Sequence, residues 1–334
     1  MGVLVIGGTR FIGPPLVRQL DALGHDITVF HRGETEVELS TSIRHIHGAR
    51  EQTDDLREAL RATIPDVVID MTALTEADAR VVVEAARGRA KLLVVVSSQD
   101  VYRAYGRFHE KESGAIEPTP STEDAPLRSN LYPYRGQPPG MDDYEKILVE
   151  RAAMADPDLP ATIVRLPAIY GEGDYQHRLA MELRRMDDRR PAIILDERIA
   201  GWRWTRAYVE NAARAVVLAA TDEKASGRVY NAGDDAFSYA DWVRAVGHAA
   251  GWNGEVISIP SDRLPKHLRP PRADYGQDLV ADTTRIRDEL GYEDVAAMDE
   301  GLRRAIEWER NNRGEIDPRF LDYEAEDSLL ASLG

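Results

Sequence analysis

Short apolar runs, each closed by small or polar residues, recur through the first half of the chain. Val3–Ile6, Asp26–Phe30, Ile43–His47, Val67–Met71, Leu92–Val96 and Ala161–Leu166 have the length and apolar content of buried parallel strands. Between them, apolar residues recur at helical spacing. Leu16, Val17, Leu20 and Leu23 precede a stop at Gly24. Asp54 to Leu60 opens with acids in its first turn, and Val82, Val83, Ala85 and Ala86 mark the apolar side of a helix over Glu76–Arg87. Strand and helix in alternation predict an α/β chain with a doubly wound parallel sheet.

The first of these junctions carries chemistry. Gly7 and Gly8 allow a turn that a Cβ would crowd, and Pro14 and Pro15 suit the first turn of a helix, where their missing N–H groups have no partner to lose. Strand, glycine turn and helix N-terminus form a cradle for a pyrophosphate, which free N–H groups and the helix dipole attract. The strand ending at Phe30 completes a β-α-β unit of the size used to bind dinucleotides.

Further along, residues 103–143 lack periodicity and are rich in Pro, Gly, Ser and Thr, as in a long functional loop. Tyr175–Met186 reads as a helix, Ala192–Leu195 and Glu255–Ile259 as strands, and Asp299–Trp308 as an amphipathic helix. Ser238 is placed to cap a helix reaching Ala250. The acidic tail after Arg313 reads as an appendage. Residues 1–172 are expected to form the cofactor domain. Residues 173–334 would form mostly a smaller substrate lobe, with some segments returning to the core.

Several segments together carry a resemblance. They are Gly7–Gly13, Ser97-Ser98-Gln99-Asp100-Val101-Tyr102, Thr122–Leu127, Lys146 with Glu150, Arg165–Gly173, Gly201–Ala213, Arg228–Gly233 and Asp282–Tyr292. The chain resembles the extended short-chain dehydrogenase/reductase (SDR) superfamily, in its NAD-dependent epimerase/dehydratase family. That resemblance implies a Rossmann-type sheet with a smaller C-terminal α/β substrate lobe. It places Gly7, Thr9, Arg10, Phe11, Ile12, Gly13, Arg32, Thr72, Ala73, Ser97, Lys146, Pro167 and Ile169 at the cofactor, and Asp100 at the substrate. Ser98 falls on the position that hydrogen-bonds a substrate oxygen as charge develops.

Where the family has Tyr-x-x-x-Lys, this chain departs from it. Lys146 fits the lysine, but Asp142 holds the tyrosine position, and Tyr144 lies about 200° from Lys146 on a continuous helix. Three arrangements follow, in this order of preference. The helix begins after Tyr144, whose phenol swings into the site; or an inserted loop returns Tyr134 to Lys146; or Asp142 or water moves the proton. Arg10 replaces a usual glycine, as in the branch resembling the chloroplast stem-loop RNA-binding proteins. Gly48-Ala49 stands where Gly-Asp commonly meets adenine, and Ala168 where nucleotide-sugar enzymes carry Asn.

Cofactor choice turns on the end of the second strand. His31 stands where NAD enzymes place an acid, and Arg32 follows, so NADP is preferred over NAD. Trp202, Arg203, Trp204 and Arg206 interleave rings and cations. They read equally as a clamp on an anionic or aromatic substrate and as a strand whose alternate residues pack inward.

Composition narrows the function. A formal net charge of −16 argues against nucleic acid as a partner, and the absence of cysteine excludes disulfides and thiolate metal sites. No metal ligand set is read. No apolar run is long enough for a membrane span, and the first strand begins too early for a signal peptide, so a cytoplasmic protein is expected. The leading expectation is an NAD(P)-dependent oxidoreductase, epimerase or dehydratase acting on a hydroxyl or carbonyl carbon of a small molecule such as a sugar or nucleotide-sugar, as a homodimer. The other is an NADP-binding sensor or an RNA-binding-type relative with reduced catalysis.

Overall fold

The computed structural model describes residues 1–35, 37–137 and 140–333. Its inner strands are the apolar runs of the sequence. β1 (Gly2–Ile6), α1 (Gly13–Ala22), β2 (Asp26–His31), β3 (Arg44–His47), α2 (Thr53–Thr63), β4 (Val67–Asp70), α3 (Glu76–Ala86) and β5 (Leu92–Ser98) follow in strict alternation apart from the direct step from β2 to β3. α4 (Arg103–Phe108) and α5 (Lys146–Met154) then precede β6 (Ala161–Leu166). The second half contains β7 (Ala168–Tyr170), α6 (Ala180–Asp187), β8 (Ala192–Asp196), α7 (Glu197–Ala200), β9 (Arg203–Trp204), β10 (Arg206–Tyr208) and α8 (Val209–Thr221). It continues through β11 (Val229–Asn231), β12 (Phe237–Ser238), α9 (Tyr239–Ala250), β13 (Glu255–Ile259), α10 (Thr284–Leu290), α11 (Met298–Asn311) and α12 (Tyr323–Ala331).

Seven strands form one parallel sheet in the order β11-β6-β5-β4-β1-β2-β3. β1 pairs with β2 on one side and β4 on the other, with Ile6 opposite both Phe30 and Asp70. The connections therefore run outward in opposite directions from β1 and β4. Such a switch point opens a crevice beyond the carboxyl ends of the strands.

Successive residues of β1 supply opposite faces. Val3 and Val5 join the core that includes Leu16, Leu20 and Val216, whereas Leu4 and Ile6 join the core that includes Leu56, Leu60 and Val149. Both faces are covered by helices, which is why the strand is apolar throughout instead of alternating. Each such side chain stabilises by about 1.5–3 kcal/mol through burial. From the second half, β11 pairs with β6, and α8 packs on the central sheet.

Two local expectations change. The helix read from Tyr175 begins at Ala180. Asp174 accepts from the backbone N–H groups of Gln176 and Arg178, which holds residues 174–178 in a turn instead. The aperiodic stretch also contains α4. The acidic tail is docked: Glu326 is buried against Arg185 at 2.7 Å, and Leu329 packs with Ile194, Ile259 and Leu264. No helix among the described residues is long and apolar enough to cross a membrane.

A buried ion pair ties α5 to the sheet. Arg165 donates to Glu150 at 2.7 and 2.9 Å, and the Ser97 hydroxyl donates to the same carboxylate at 2.6 Å. Arg165→Met leaves that carboxylate buried without its cation. We expect a loss of about 3–5 kcal/mol, measured as a lowered urea midpoint, and partial recovery in the Glu150→Met/Arg165→Met double variant. An unchanged midpoint in the single variant would show that the pair does not hold α5.

Candidate functional site

The turn after β1 is shaped by close backbone approaches. Gly7 has φ +86°, and a Cβ on it would stand 2.2 Å from Thr72 Cγ2. A Cβ on Gly13 would stand 2.4 Å from the carbonyl carbon of Gly8. Neither position accepts a side chain without displacing the turn. Phe11 takes the left-handed conformation at φ +47°. The N–H groups of Gly8 to Ile12 make no hydrogen bond among the described residues, while α1 starts immediately afterwards at Gly13 with proline in its first turn. That combination is a ready anion site.

In front of the turn lies a cleft of about 580 Å³. Gly7, Thr9, Arg10, Phe11 and Ile12 line it at β1, Arg32 at β2 and Thr72 at β4. Its volume lies inside the roughly 300–1,000 Å³ range of small-molecule pockets. Arg10 is exposed and stacks over the Tyr175 ring at 5.8 Å, so its charge stays at the mouth. Arg32 is also exposed, paired with Glu34 at 2.8 Å, while His31 is buried against His45 and His47.

One cleft residue escaped the sequence reading. Arg50, two positions beyond Gly48, is buried and donates to Asp70 at 2.5 Å and to Thr72 Oγ1 at 2.6 Å. Its Nη1 and the Asp70 Oδ2 are buried with no partner in the protein. Unmatched polar atoms beside a cleft of dinucleotide size, together with a glycine turn that has no room for Cβ atoms, fit a dinucleotide. The only signal in the sequence was an arginine after the third strand, in a segment without periodicity.

The chemical end of the site gathers around Lys146, the first residue of α5. Its ammonium is buried and donates to the carbonyls of Ala73 at 2.5 Å and Val96 at 2.9 Å. Burial lowers its pKa, against the pull of Asp70 and Asp100. Glu145 caps the helix in an extended conformation, so Tyr144 precedes the helix and is not bound to its angular spacing. Tyr144 donates to Asp100 Oδ2 at 2.8 Å and lies beside Ser98. Tyr134 reaches the same Asp100 oxygen at 3.1 Å, its ring 5.1 Å from that of Tyr144. Both tyrosines weighed from the sequence thus converge on one carboxyl. Asp142 instead accepts from the Gly136 N–H in an exposed turn.

A buried clamp sets this geometry. Arg128 donates to both carboxylate oxygens of Glu145, at 3.0 and 3.3 Å, and to the carbonyl of Asp100 at 2.5 Å. Glu145 also accepts from the N–H of Tyr132 at 2.6 Å. The loop and the start of α5 are therefore fixed to the turn that carries Asp100. Ser98 accepts from the Asp100 N–H at 3.1 Å, and its hydroxyl lies within hydrogen-bonding reach of the Tyr144 phenol.

Other positions lie elsewhere. The Ser97 hydroxyl turns from the cleft into the Glu150–Arg165 pair, because a buried carboxylate there takes its proton. Ile169 is core, 4% exposed, and Pro167 stands against the loop of Gly233. Asp100 is too enclosed by its two phenols to meet substrate directly, and its Oδ1 is buried without a partner. Trp202 is packing: it stacks on Phe108 at 4.8 Å and donates to the Gln277 carbonyl. Arg203 is exposed and donates to the Ala236 carbonyl. Arg206 is buried among the rings of Trp204, Tyr239 and Trp242, and that burial lowers its pKa to about 10. Trp202 and Arg206 both pack against Trp204 while Arg203 is exposed, so the three are held by packing contacts and do not gather as the clamp weighed from the sequence. Among the described residues no group of acids and histidines could hold a metal ion.

The sequence model of the NAD dependent epimerase/dehydratase family matches residues 3–233. The 2'-dehydrokanamycin reductase of Streptomyces kanamyceticus is 29% identical over 293 residues, which is 85% of this chain and 74% of that protein. The chloroplast stem-loop binding protein of 41 kDa b from Arabidopsis thaliana is 23% identical over 324 residues, 90% of this chain and 77% of its own. In structure, an epimerase from Methanothermobacter thermautotrophicus superposes with a TM-score of 0.69 at 17% identity, covering 93% of this chain and 92% of that one. The UDP-glucose 4-epimerase of Thermotoga maritima, solved with UDP-glucose, gives 0.68 at 20% identity, covering 94% and 100%. These structural likenesses carry the fold.

Gly7→Ala tests the cradle. The added methyl meets Thr72 at a backbone angle that L-residues disfavour. We expect at least a tenfold loss of NADPH affinity by fluorescence titration with the fold retained by circular dichroism. Unchanged affinity would place the nucleotide away from this turn.

Proposed function

Because the chain belongs to the NAD dependent epimerase/dehydratase family, we propose that it is an NADP(H)-linked enzyme acting on a hydroxyl or carbonyl carbon of a sugar-like substrate. One observation carries the reading: Lys146 is anchored on the carbonyls of Ala73, just past β4, and Val96 in β5, while the Tyr144 phenol lies beside Ser98 at the end of β5. A relative named as a 2'-dehydrokanamycin reductase and a structural neighbour solved with UDP-glucose support a sugar-related substrate. Arg10 and Arg32 at the cleft mouth, with no acid at position 31, support NADP over NAD.

A nicotinamide cofactor, when bound, supplies or takes up a hydride. The chain's own residues do the rest. The glycine turn would hold the bridging phosphates. Lys146 spends two donors on the Ala73 and Val96 carbonyls, which fixes its direction and leaves a third for a ribose hydroxyl. Ser98 orients the substrate oxygen with its hydroxyl. Tyr144 gives that oxygen a proton, or takes one, as its charge changes. The lobe beyond residue 173 would close over the substrate. Against a non-catalytic sensor stands the approach of the Tyr144 phenol to Ser98.

Purified protein titrated with NADPH and NADH, then mixed with a panel of keto-sugars, tests the reading. We expect tighter binding of NADPH, weakened in Arg32→Ala, and turnover reduced about 10²–10⁴-fold in Tyr144→Phe. Products should be followed by NMR, since an epimerase shows no net change in nicotinamide absorbance. Full turnover in Tyr144→Phe would overturn the assignment of the proton to that phenol. Failure of both nucleotides to bind would overturn the cofactor reading itself.

A further inference from the structure

We propose that Asp100 is the proton store of this site, a carboxyl that recharges Tyr144 and is itself recharged from solvent through Tyr134; this rests on Tyr144 being the group that meets the substrate. Asp100 sits in the turn after β5, 6% exposed, and its Oδ2 is shared by the phenols of Tyr144 at 2.8 Å and Tyr134 at 3.1 Å. Its Oδ1 is buried and has no hydrogen-bond partner among the described residues. An ionised aspartate in that position would leave one charged oxygen without any donor, a costly state. A protonated carboxyl avoids it.

The surrounding charges do not convert Asp100 into an ordinary ion pair. Arg128, the nearest cation, is committed to Glu145 and to the Asp100 backbone carbonyl. Lys146 is committed to two backbone carbonyls. Tyr105, whose hydroxyl accepts from Trp204 at 3.1 Å, faces the same side. Burial raises the Asp100 pKa, and Arg128, the two phenols and Lys146 pull it back only in part.

A route outward is present. Asp100, Tyr105, His109, Lys111, Arg128 and Tyr134 line a chamber of about 60 Å³, polar and roomy enough for water. Tyr134 is half-buried, with its hydroxyl on Asp100 and its body against this chamber. Tyr144 itself is buried, 8% exposed.

The relay moves protons alone. During reduction, the substrate oxygen would gain negative charge as its carbon takes up a hydride, the chemistry that a bound nicotinamide would supply. Tyr144 passes its phenolic proton to that oxygen, the Asp100 carboxyl passes its proton to Tyr144, and one proton from water restores Asp100 by way of Tyr134. Oxidation runs the same transfers in reverse. Asp100 thus acts through Tyr144 and never touches the substrate. Asparagine at this position keeps the shape and the hydrogen bonds but carries no transferable proton.

Infrared difference spectra of the NADPH-loaded protein across pH read the store directly. A carbonyl stretch of a buried protonated carboxylic acid should persist to neutral pH in the wild type and in Tyr134→Phe, and vanish in Asp100→Asn. With a keto-sugar that the wild type reduces, Asp100→Asn should lower kcat at least tenfold at unchanged NADPH affinity and lose the wild-type fall in kcat as pH rises through the Asp100 pKa. Asp100→Glu should restore part of the rate. Tyr134→Phe should lower kcat and enlarge its solvent deuterium effect. A spectrum with the same carboxyl bands in wild type and Asp100→Asn, or a wild-type kcat in Asp100→Asn, would overturn the relay. NADPH titration and circular dichroism of each variant separate that outcome from misfolding and from failure of the cofactor reading. If no keto-sugar is turned over, the infrared band alone decides whether Asp100 stores a proton.

Discussion

The approach of one backbone turn to its neighbours governs this molecule. Gly7 lies so near Thr72, and Gly13 so near Gly8, that neither tolerates a Cβ. This contact draws the ends of β1 and β4 together at the point where the sheet reverses its winding. It also leaves the N–H groups from Gly8 to Ile12 without hydrogen-bond partners among the described residues, in a turn whose Gly7 and Thr9 to Ile12 line the cleft. Everything placed beyond the carboxyl ends of the strands is positioned relative to that turn. Arg50 and Asp70 close one side, and Lys146 reaches the Ala73 carbonyl just past β4 on the other.

A second constraint builds the chemical end. The described residues between Arg128 and Glu145 have little regular structure. Arg128 and Glu145 are nevertheless fixed, because they form a fully buried ion pair and the arginine also holds the Asp100 carbonyl. Two phenols 10 residues apart in the sequence arrive on one carboxyl oxygen as a result. Removing charges from water is expensive, and the cost is offset here by several hydrogen bonds around each group. The same low-polarity setting shifts the titration of Asp100, Tyr144 and Lys146 in the directions that disfavour charge. The lobe contributes its own enclosure: Trp202 stacks on Phe108, which connects the C-terminal half to the short helix after Asp100.

Much of this was legible in the chain. Apolar runs such as Val3–Ile6 and Val67–Ile69 become inner strands because helices cover both faces, and a periodicity argument detects that arrangement. Glycines at a strand end are equally readable, since sterics leave few alternatives. Ser238 caps α9 by accepting from the Asp241 N–H, as a local signal suggested. The remainder depended on contacts between residues distant in sequence. The preferred reading, a helix beginning after Tyr144, is what the cap at Glu145 produces, but the partner that holds this cap, Arg128, is distant in sequence. Arg50, Arg128 and Glu145 gave no local sign, because each is defined by a partner 17 or more residues away. Trp202 and Arg206 misled for the opposite reason: alternation of rings and cations describes a packed strand as well as a binding surface.

A crystal structure of the protein grown with NADP⁺ bears on the central claim more directly than any rate. The account predicts bridging phosphates against the N–H groups between Gly7 and Gly13, and a nicotinamide ribose within hydrogen-bonding distance of Lys146 Nζ. Nucleotide bound elsewhere, or a turn whose N–H groups are closed by the protein's own side chains in the complex, would contradict it.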